Sequence, residues 1–236
     1  MINRLPDFMI IGPTRCGTSS LYMNLLRHPR IDGAKKDKLA FFYANYEKGI
    51  EWYKAQFPDV KSGVLLCDAT ALYIFYPECP RHIYRWLPEI KLIAMLRNPV
   101  TRSWSHFCCN RSREDSEWQN LMRVDHPVLE QGIYADLLLP WLECFDRKQL
   151  LIIKSEDFFK DSGQIVSECF KFLRLPDMKF ESYEYYDPRK KNPTQGIDDH
   201  PKIPRETERW LGEFFVSHNQ RLYQLLGKDF GWKDND

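Results

Sequence analysis

The stretch Phe8-Met9-Ile10-Ile11-Gly12-Pro13-Thr14-Arg15-Cys16-Gly17-Thr18-Ser19-Ser20-Leu21-Tyr22 constrains the fold of this chain more than any other. A short apolar run passes through a turn on Gly12, Pro13 and Gly17 and continues into a helical apolar pattern. Strand, glycine turn and helix in that order is a unit of a parallel α/β sheet. It also holds anions. The uncapped N–H groups of the loop and the helix start converge, and the helix dipole makes that point positive. Arg15, Thr18 and Ser19 add one charge and two hydroxyls.

Two readings of the loop stay open on these residues alone. It is an ordinary βα turn with a glycine in it, or it is a phosphate cradle. A nucleoside triphosphatase loop requires G-x-x-x-x-G-K-[ST]. Gly12 and Gly17 have that spacing, but Thr18 stands where the lysine belongs, and the basic residue, Arg15, lies inside the loop.

The rest of the chain supplies a sheet for the loop to sit on. Near-continuous apolar runs at 63–67, 90–96 and 150–154 read as buried parallel strands, separated by helical patterns at 19–28, 46–57, 80–86, from 99, 133–145, 164–173 and 206–226. The expected fold class is α/β: one domain over 1–236, a central mostly parallel sheet flanked by helices, resembling a P-loop fold. Residues 30–38 read as a polar loop, 110–127 as a polar surface segment, 155–157 as the cap of a turn, and 176–204, with five prolines, as an extended loop. Ligands bind such sheets at the carboxyl ends of the strands. Residues 12–18, 68–70 and 97–105 all follow such ends and so converge on one crevice.

Composition narrows the function. A net charge of +1 gives no global field for nucleic acid. No run approaches the roughly 18 apolar residues of a membrane span, and the first residues show no secretory h-region. Seven scattered cysteines, without C-x-x-C or zinc spacing, suit buried thiols in a reducing cytoplasm. Cys16, inside the loop, is the exception. The expected location is cytoplasmic, with no nucleic-acid or membrane partner and no metal.

Arg97 ends a strand, and Ser105 follows roughly two helical turns later. That pair suits a second phosphate, away from the first loop. Two phosphate sites on one sheet edge fit a nucleotide phosphorylated at both its 5′ and 3′ positions.

With these motifs assembled, the chain resembles the sulfotransferases that use 3′-phosphoadenosine 5′-phosphosulfate (PAPS), and closest the heparan sulfate sulfotransferase branch. The resemblance is carried by 11–18, His28-Pro29, Phe41-Phe42, Gly49-Ile50-Glu51-Trp52-Tyr53, Leu96-Arg97-Asn98-Pro99 through Arg102 and Ser105, Gly132-Ile133-Tyr134, the strand into Ser155-Glu156-Asp157, and 226–232. It implies that PAPS donates a sulfuryl group to a hydroxyl or amine of a glycan or small molecule, leaving adenosine 3′,5′-bisphosphate (PAP). By the same resemblance Arg15 steadies the bridging oxygen. Thr14, Cys16, Gly17, Thr18, Ser19 and Ser20 belong to the 5′-phosphate loop, and Arg97 and Ser105 hold the 3′-phosphate. The branch carries Lys-Glu two residues before its Phe-Phe pair; here the run is Lys36-Asp37-Lys38-Leu39-Ala40-Phe41-Phe42. Direct register gives Lys38, a one-residue insertion gives Asp37, and Asp37 is the favoured base. His106 and Asp68 are alternatives. Lys190 and Lys191 replace the branch's Lys-Gly-Arg element, without its cysteine pair. Lys35, Lys36, Lys38, Arg111, Arg113 and Arg123 could line a cleft for an acidic glycan, or could be solvated surface.

Overall fold

The computed structural model describes residues 4–36, 38–110, 126–186 and 201–232. Five strands form one sheet: β1 (Phe8–Gly12), β2 (Ile31–Gly33), β3 (Leu65–Asp68), β4 (Lys91–Leu96) and β5 (Leu150–Lys154), in the order β2-β3-β1-β4-β5. Every pairing is parallel. β1 lies at the centre because its residues are apolar on both faces, and all five are buried. Its register against β4 shifts by one residue between Ile10 and Gly12, just before the loop begins.

Alternation along the strands sorts the core into two layers. Phe8, Ile10, Cys67, Ile93, Met95 and Ile153 pack against α1 (Thr18–Leu25), α8 (Ser155–Lys160) and α9 (Ser162–Leu173). Met9, Ile11, Leu66, Leu92, Ala94, Leu96 and Ile152 pack against α2 (Phe41–Ala44), α3 (Gly49–Lys54), α4 (Cys79–Trp86), α7 (Tyr134–Cys144) and α10 (Arg205–Leu226). A third cluster joins α5 (Pro99–Asn110), α6 (Pro127–Glu130) and α10 through Trp104, Phe107, Leu129, Leu211 and Phe215.

The elements depart from the sequence reading in three places. The stretch read as a polar loop at 30–38 contains β2, a three-residue edge strand whose middle residue, Asp32, faces solvent. An edge strand buries one face only, so a single carboxylate interrupts its pattern without breaking it. Ser155-Glu156-Asp157 starts a helix, α8, with acidic side chains in its first turn, where the dipole favours them. The single helix expected over 46–57 is a 3₁₀ turn at Tyr46–Lys48 followed by α3, broken at Gly49, whose φ is 77°. Of the expected surface segment, residues 111–125 lie outside the described residues, as do 187–200 of the proline-rich loop.

Among the described residues no helix is long and apolar enough to cross a membrane.

Candidate active site

The loop after β1 is held in a shape that its glycines permit. Gly12, Arg15 and Gly17 take φ values of 118°, 67° and 90°. A Cβ on Gly12 would lie 2.0 Å from the Ala71 carbonyl oxygen, so backbone passes where a side chain would sit. Gly17 is the cap of α1 and supplies no side-chain acceptor. The first N–H groups of α1 therefore stay available to an anion. Thr14 Oγ1 is buried without a hydrogen-bond partner in this same loop. Ser20 Oγ has a different task, accepting from the Tyr186 N–H at 2.9 Å.

Residues just past β4 and β5, with Tyr134 at the start of α7, fix the loop. Ser155 Oγ, at the end of β5, donates to the Cys16 carbonyl at 2.7 Å. Tyr134 OH donates to the Arg97 carbonyl at 2.8 Å and lies 3.9 Å from Cys16 Sγ. Burial pushes the Cys16 thiol up to about 11, despite the opposing charges of Arg102 and Arg97. At neutral pH it is a buried thiol, not a thiolate nucleophile.

The two cradles expected from sequence meet. The Arg15 guanidinium donates to Ser105 Oγ from Nε at 3.2 Å and from its terminal nitrogen at 3.0 Å. Arg97 donates to the Arg15 carbonyl at 3.4 Å and to Thr101 Oγ1 at 3.0 Å. Ninety residues of sequence separate Arg15 from Ser105, and the β1–β4 pairing closes that distance. Asn98 caps α5, accepting from the Val100 N–H at 2.9 Å, while its own N–H donates to Glu156 Oε1 at 2.7 Å. His106, beside Ser105, accepts from Arg102 at 3.4 Å through Nδ1. Burial, then the charges of Arg102 and Arg15, bring its imidazole down to about 4.

On the other side of β1 a cavity of about 360 Å³ is lined by Thr18, Ser19, Lys36, Lys38, Asp68 and Tyr186 among others. Asp68 ends β3 and is 1% exposed. Its carboxylate accepts from Tyr53 OH at 2.7 Å, Tyr73 OH at 2.8 Å and Thr70 Oγ1 at 2.6 Å. Burial raises the Asp68 carboxyl above its ordinary range, and the three hydroxyls oppose that rise. Tyr73 OH in turn accepts from the Phe41 N–H at 3.2 Å, which ties the start of α2 to the same carboxylate.

Of the residues singled out from sequence, Thr14, Arg15, Cys16, Gly17, Thr18, Ser19, Arg97 and Ser105 gather around the loop. Lys36, Lys38 and Asp68 line the cavity. Lys35 turns away, donating to the Ala55 carbonyl at 3.0 Å. Asp37, Lys190, Lys191, Arg111, Arg113 and Arg123 lie outside the described residues. Sequence reasoning gave no supporting role to Tyr134, Ser155 or Glu156, although all three stand in segments it had marked. Among the described residues no group of His, Cys, Asp or Glu could hold a metal.

A family model described as a sulfotransferase domain matches residues 5–227. The human heparan sulfate glucosamine 3-O-sulfotransferase 6 is 29% identical, over 97% of this chain and 74% of that protein. The mouse heparan sulfate glucosamine 3-O-sulfotransferase 3B1 is 30% identical, over 97% and 65%. A bifunctional heparan sulfate N-deacetylase/N-sulfotransferase 1 of Caenorhabditis elegans is 27% identical, over 95% of this chain but 30% of its own length. Among solved structures, a sulfotransferase from Alicyclobacillus acidocaldarius superposes with a TM-score of 0.76 at 25% identity, covering 97% of this chain and 99% of that one. The sulfotransferase domain of the Synechococcus PCC 7002 olefin synthase shares the fold, with a TM-score of 0.52 at 16% identity over 77% and 76%.

Proposed function

We propose, since this chain belongs to the sulfotransferase family and is a sulfuryl-transferring enzyme, that its donor is PAPS and its acceptor a hydroxyl or amine on a glycan or small molecule. The observation that carries this reading is the joining of the two cradles, Arg15 on Ser105 and Arg97 on the Arg15 backbone. A doubly phosphorylated nucleotide needs two anion sites in one crevice. The residues fit such a group: uncapped N–H groups at the start of α1, an unpartnered buried hydroxyl at Thr14, and two guanidiniums within one hydrogen-bond network.

PAPS would supply the sulfuryl group and leave as PAP. The chain contributes position and charge. Thr18, Ser19 and the loop N–H groups would hold the 5′-phosphate, with Arg15 beside them. Arg97 and Ser105 would hold the 3′-phosphate on the β4 side. The acceptor would enter from the β3 side, where the cavity lies. Lys36 and Lys38 are exposed on its wall and favour an acceptor bearing negative charge, while Tyr22 and Met23 offer apolar surface.

The acceptor proton must go to a base. Asp37, between Lys36 and Lys38, is the residue we assign, because its two sequence neighbours line the cavity. Asp68 is less available, with three hydroxyls already on its oxygens. His106 belongs to the opposite flank, next to Ser105.

Two measurements test the proposal. Millimolar PAP should raise the melting temperature by mass action, and no shift would sink the nucleotide assignment. PAPS and a panel of glycan and small-molecule acceptors should yield sulfated product. Binding of PAP without transfer to any of them would favour a nucleotide-binding role without turnover.

A further inference from the structure

Arg102, on α5, is 0% exposed. Its guanidinium donates to the Val128 carbonyl, to Ser103 Oγ at 3.3 Å and to His106 Nδ1 at 3.4 Å. Its Nε has no hydrogen-bond partner. Among the described residues no carboxylate forms an ion pair with it. Removing a cation from water without a counter-charge costs several kcal/mol. The fold bears that cost beneath the site: Arg102 lies three residues before Ser105, and its charge acts on Cys16 in the loop and on Tyr134. A side chain needed only to tie α5 to α6 could do so without a charge, since the tie ends on the Val128 carbonyl.

We infer that Arg102 is a positioning residue for the nucleotide, a fixed charge under the loop whose counter-anion is a phosphate of bound PAPS or PAP. The inference rests on the nucleotide reading above. It explains why, among the described residues, a buried guanidinium is left with neutral acceptors only.

The test is PAP titration of the whole chain as wild type, Arg102→Met and Arg102→Lys, with adenosine 5′-monophosphate as the less charged ligand. Removing the charge should raise the PAP dissociation constant by about tenfold or more. The loss should be smaller for the monophosphate, because a field acts in proportion to ligand charge. Arg102→Lys supplies a cation whose proton burial tends to remove, so it should bind PAP between wild type and Arg102→Met, and closer to wild type as the pH is lowered. The ligand-free Met variant should melt within about 4 °C of wild type, because the three lost hydrogen bonds are offset by relief of a buried charge. Equal PAP affinity in wild type and Arg102→Met would overturn the inference and leave the nucleotide reading standing. So would a Met variant that fails to fold or melts far lower, since the charge would then serve the fold. A wild type that binds no PAP would overturn both.

Discussion

Arg15, Ser105 and Arg97 show how single side chains divide the labour of a site. Arg97 does two things: its guanidinium steadies the Arg15 carbonyl, and its own carbonyl is fixed by Tyr134 OH. Arg97→Ala should therefore weaken PAP binding by roughly ten- to a hundredfold, the loss of a charge-assisted contact. Asp37→Ala should slow turnover and leave PAP affinity within about twofold; calorimetric titration of both variants separates the two roles. His106 allows a pH prediction. Its imidazole is near 4 when folded, against an ordinary 6.5. As pH falls below about 6.5 the unfolded chain takes up this proton first, so stability declines until about pH 4 and the contribution then levels off. His106→Gln should flatten that part of the acid limb in urea melts taken across the range, and an unchanged limb would assign it to other groups. The arginines and Ser105 were legible because motif spacing after a strand end marks them. Arg102 was only a letter in a motif, since sequence does not say which guanidinium loses its water.

At the scale of elements, the strands that place the site were readable from their apolar runs, which parallel burial on both faces requires. β2 escaped because an edge strand of three residues, one of them Asp32, carries too short a pattern to register. The break at Gly49 escaped because the apolar positions on either side of it continue a helical spacing. The glycine loop reads from sequence as an anion cradle, but the reason for its first glycine does not. That reason is steric: the Ala71 carbonyl, just past β3, occupies the space of a Cβ at Gly12. Gly12→Ala should then cost about 3 kcal/mol or more and lower the melting temperature by about 6 °C or more. Gly17 is a different case. Its added Cβ would meet the Phe159 ring at 2.9 Å, and a ring can shift where a backbone carbonyl will not. Gly17→Ala should fold more nearly like wild type and fail chiefly in PAP binding, because a φ of 90° is costly for alanine and the loop would relax away from it. A Gly17→Ala variant with wild-type PAP affinity would show that the loop shape is not what holds the phosphate.

For the whole molecule, the question is how a sheet edge assembled from distant segments keeps its geometry. The end of the described chain supplies part of the answer. Lys154, closing β5, donates to the Phe230 carbonyl at 2.5 Å, and Trp232 Nε1 donates to Glu156 Oε2 at 3.2 Å. The other oxygen of Glu156 accepts from the Asn98 N–H, next to Arg97. Trp232 itself is 8% exposed, with its ring 4.7 Å from Phe230 and 5.9 Å from Tyr134. Residues 230–232 thus strap the β4 and β5 ends together, and the strap ends one residue from Arg97. Trp232→Phe keeps one aromatic ring but removes the N–H together with part of the buried indole. It should cost about 1–3 kcal/mol of stability, the hydrogen bond and the lost packing together, and weaken PAP by a few-fold, because Glu156 would no longer be held from both sides. Trp232→Ala, which also empties the packing, should cost about 3–5 kcal/mol. If Trp232→Phe lowers the melting temperature but leaves the PAP dissociation constant unchanged, the strap serves the fold alone. If the constant rises, positioning of Arg97 extends from β4 through Glu156 to the last described turn of the chain.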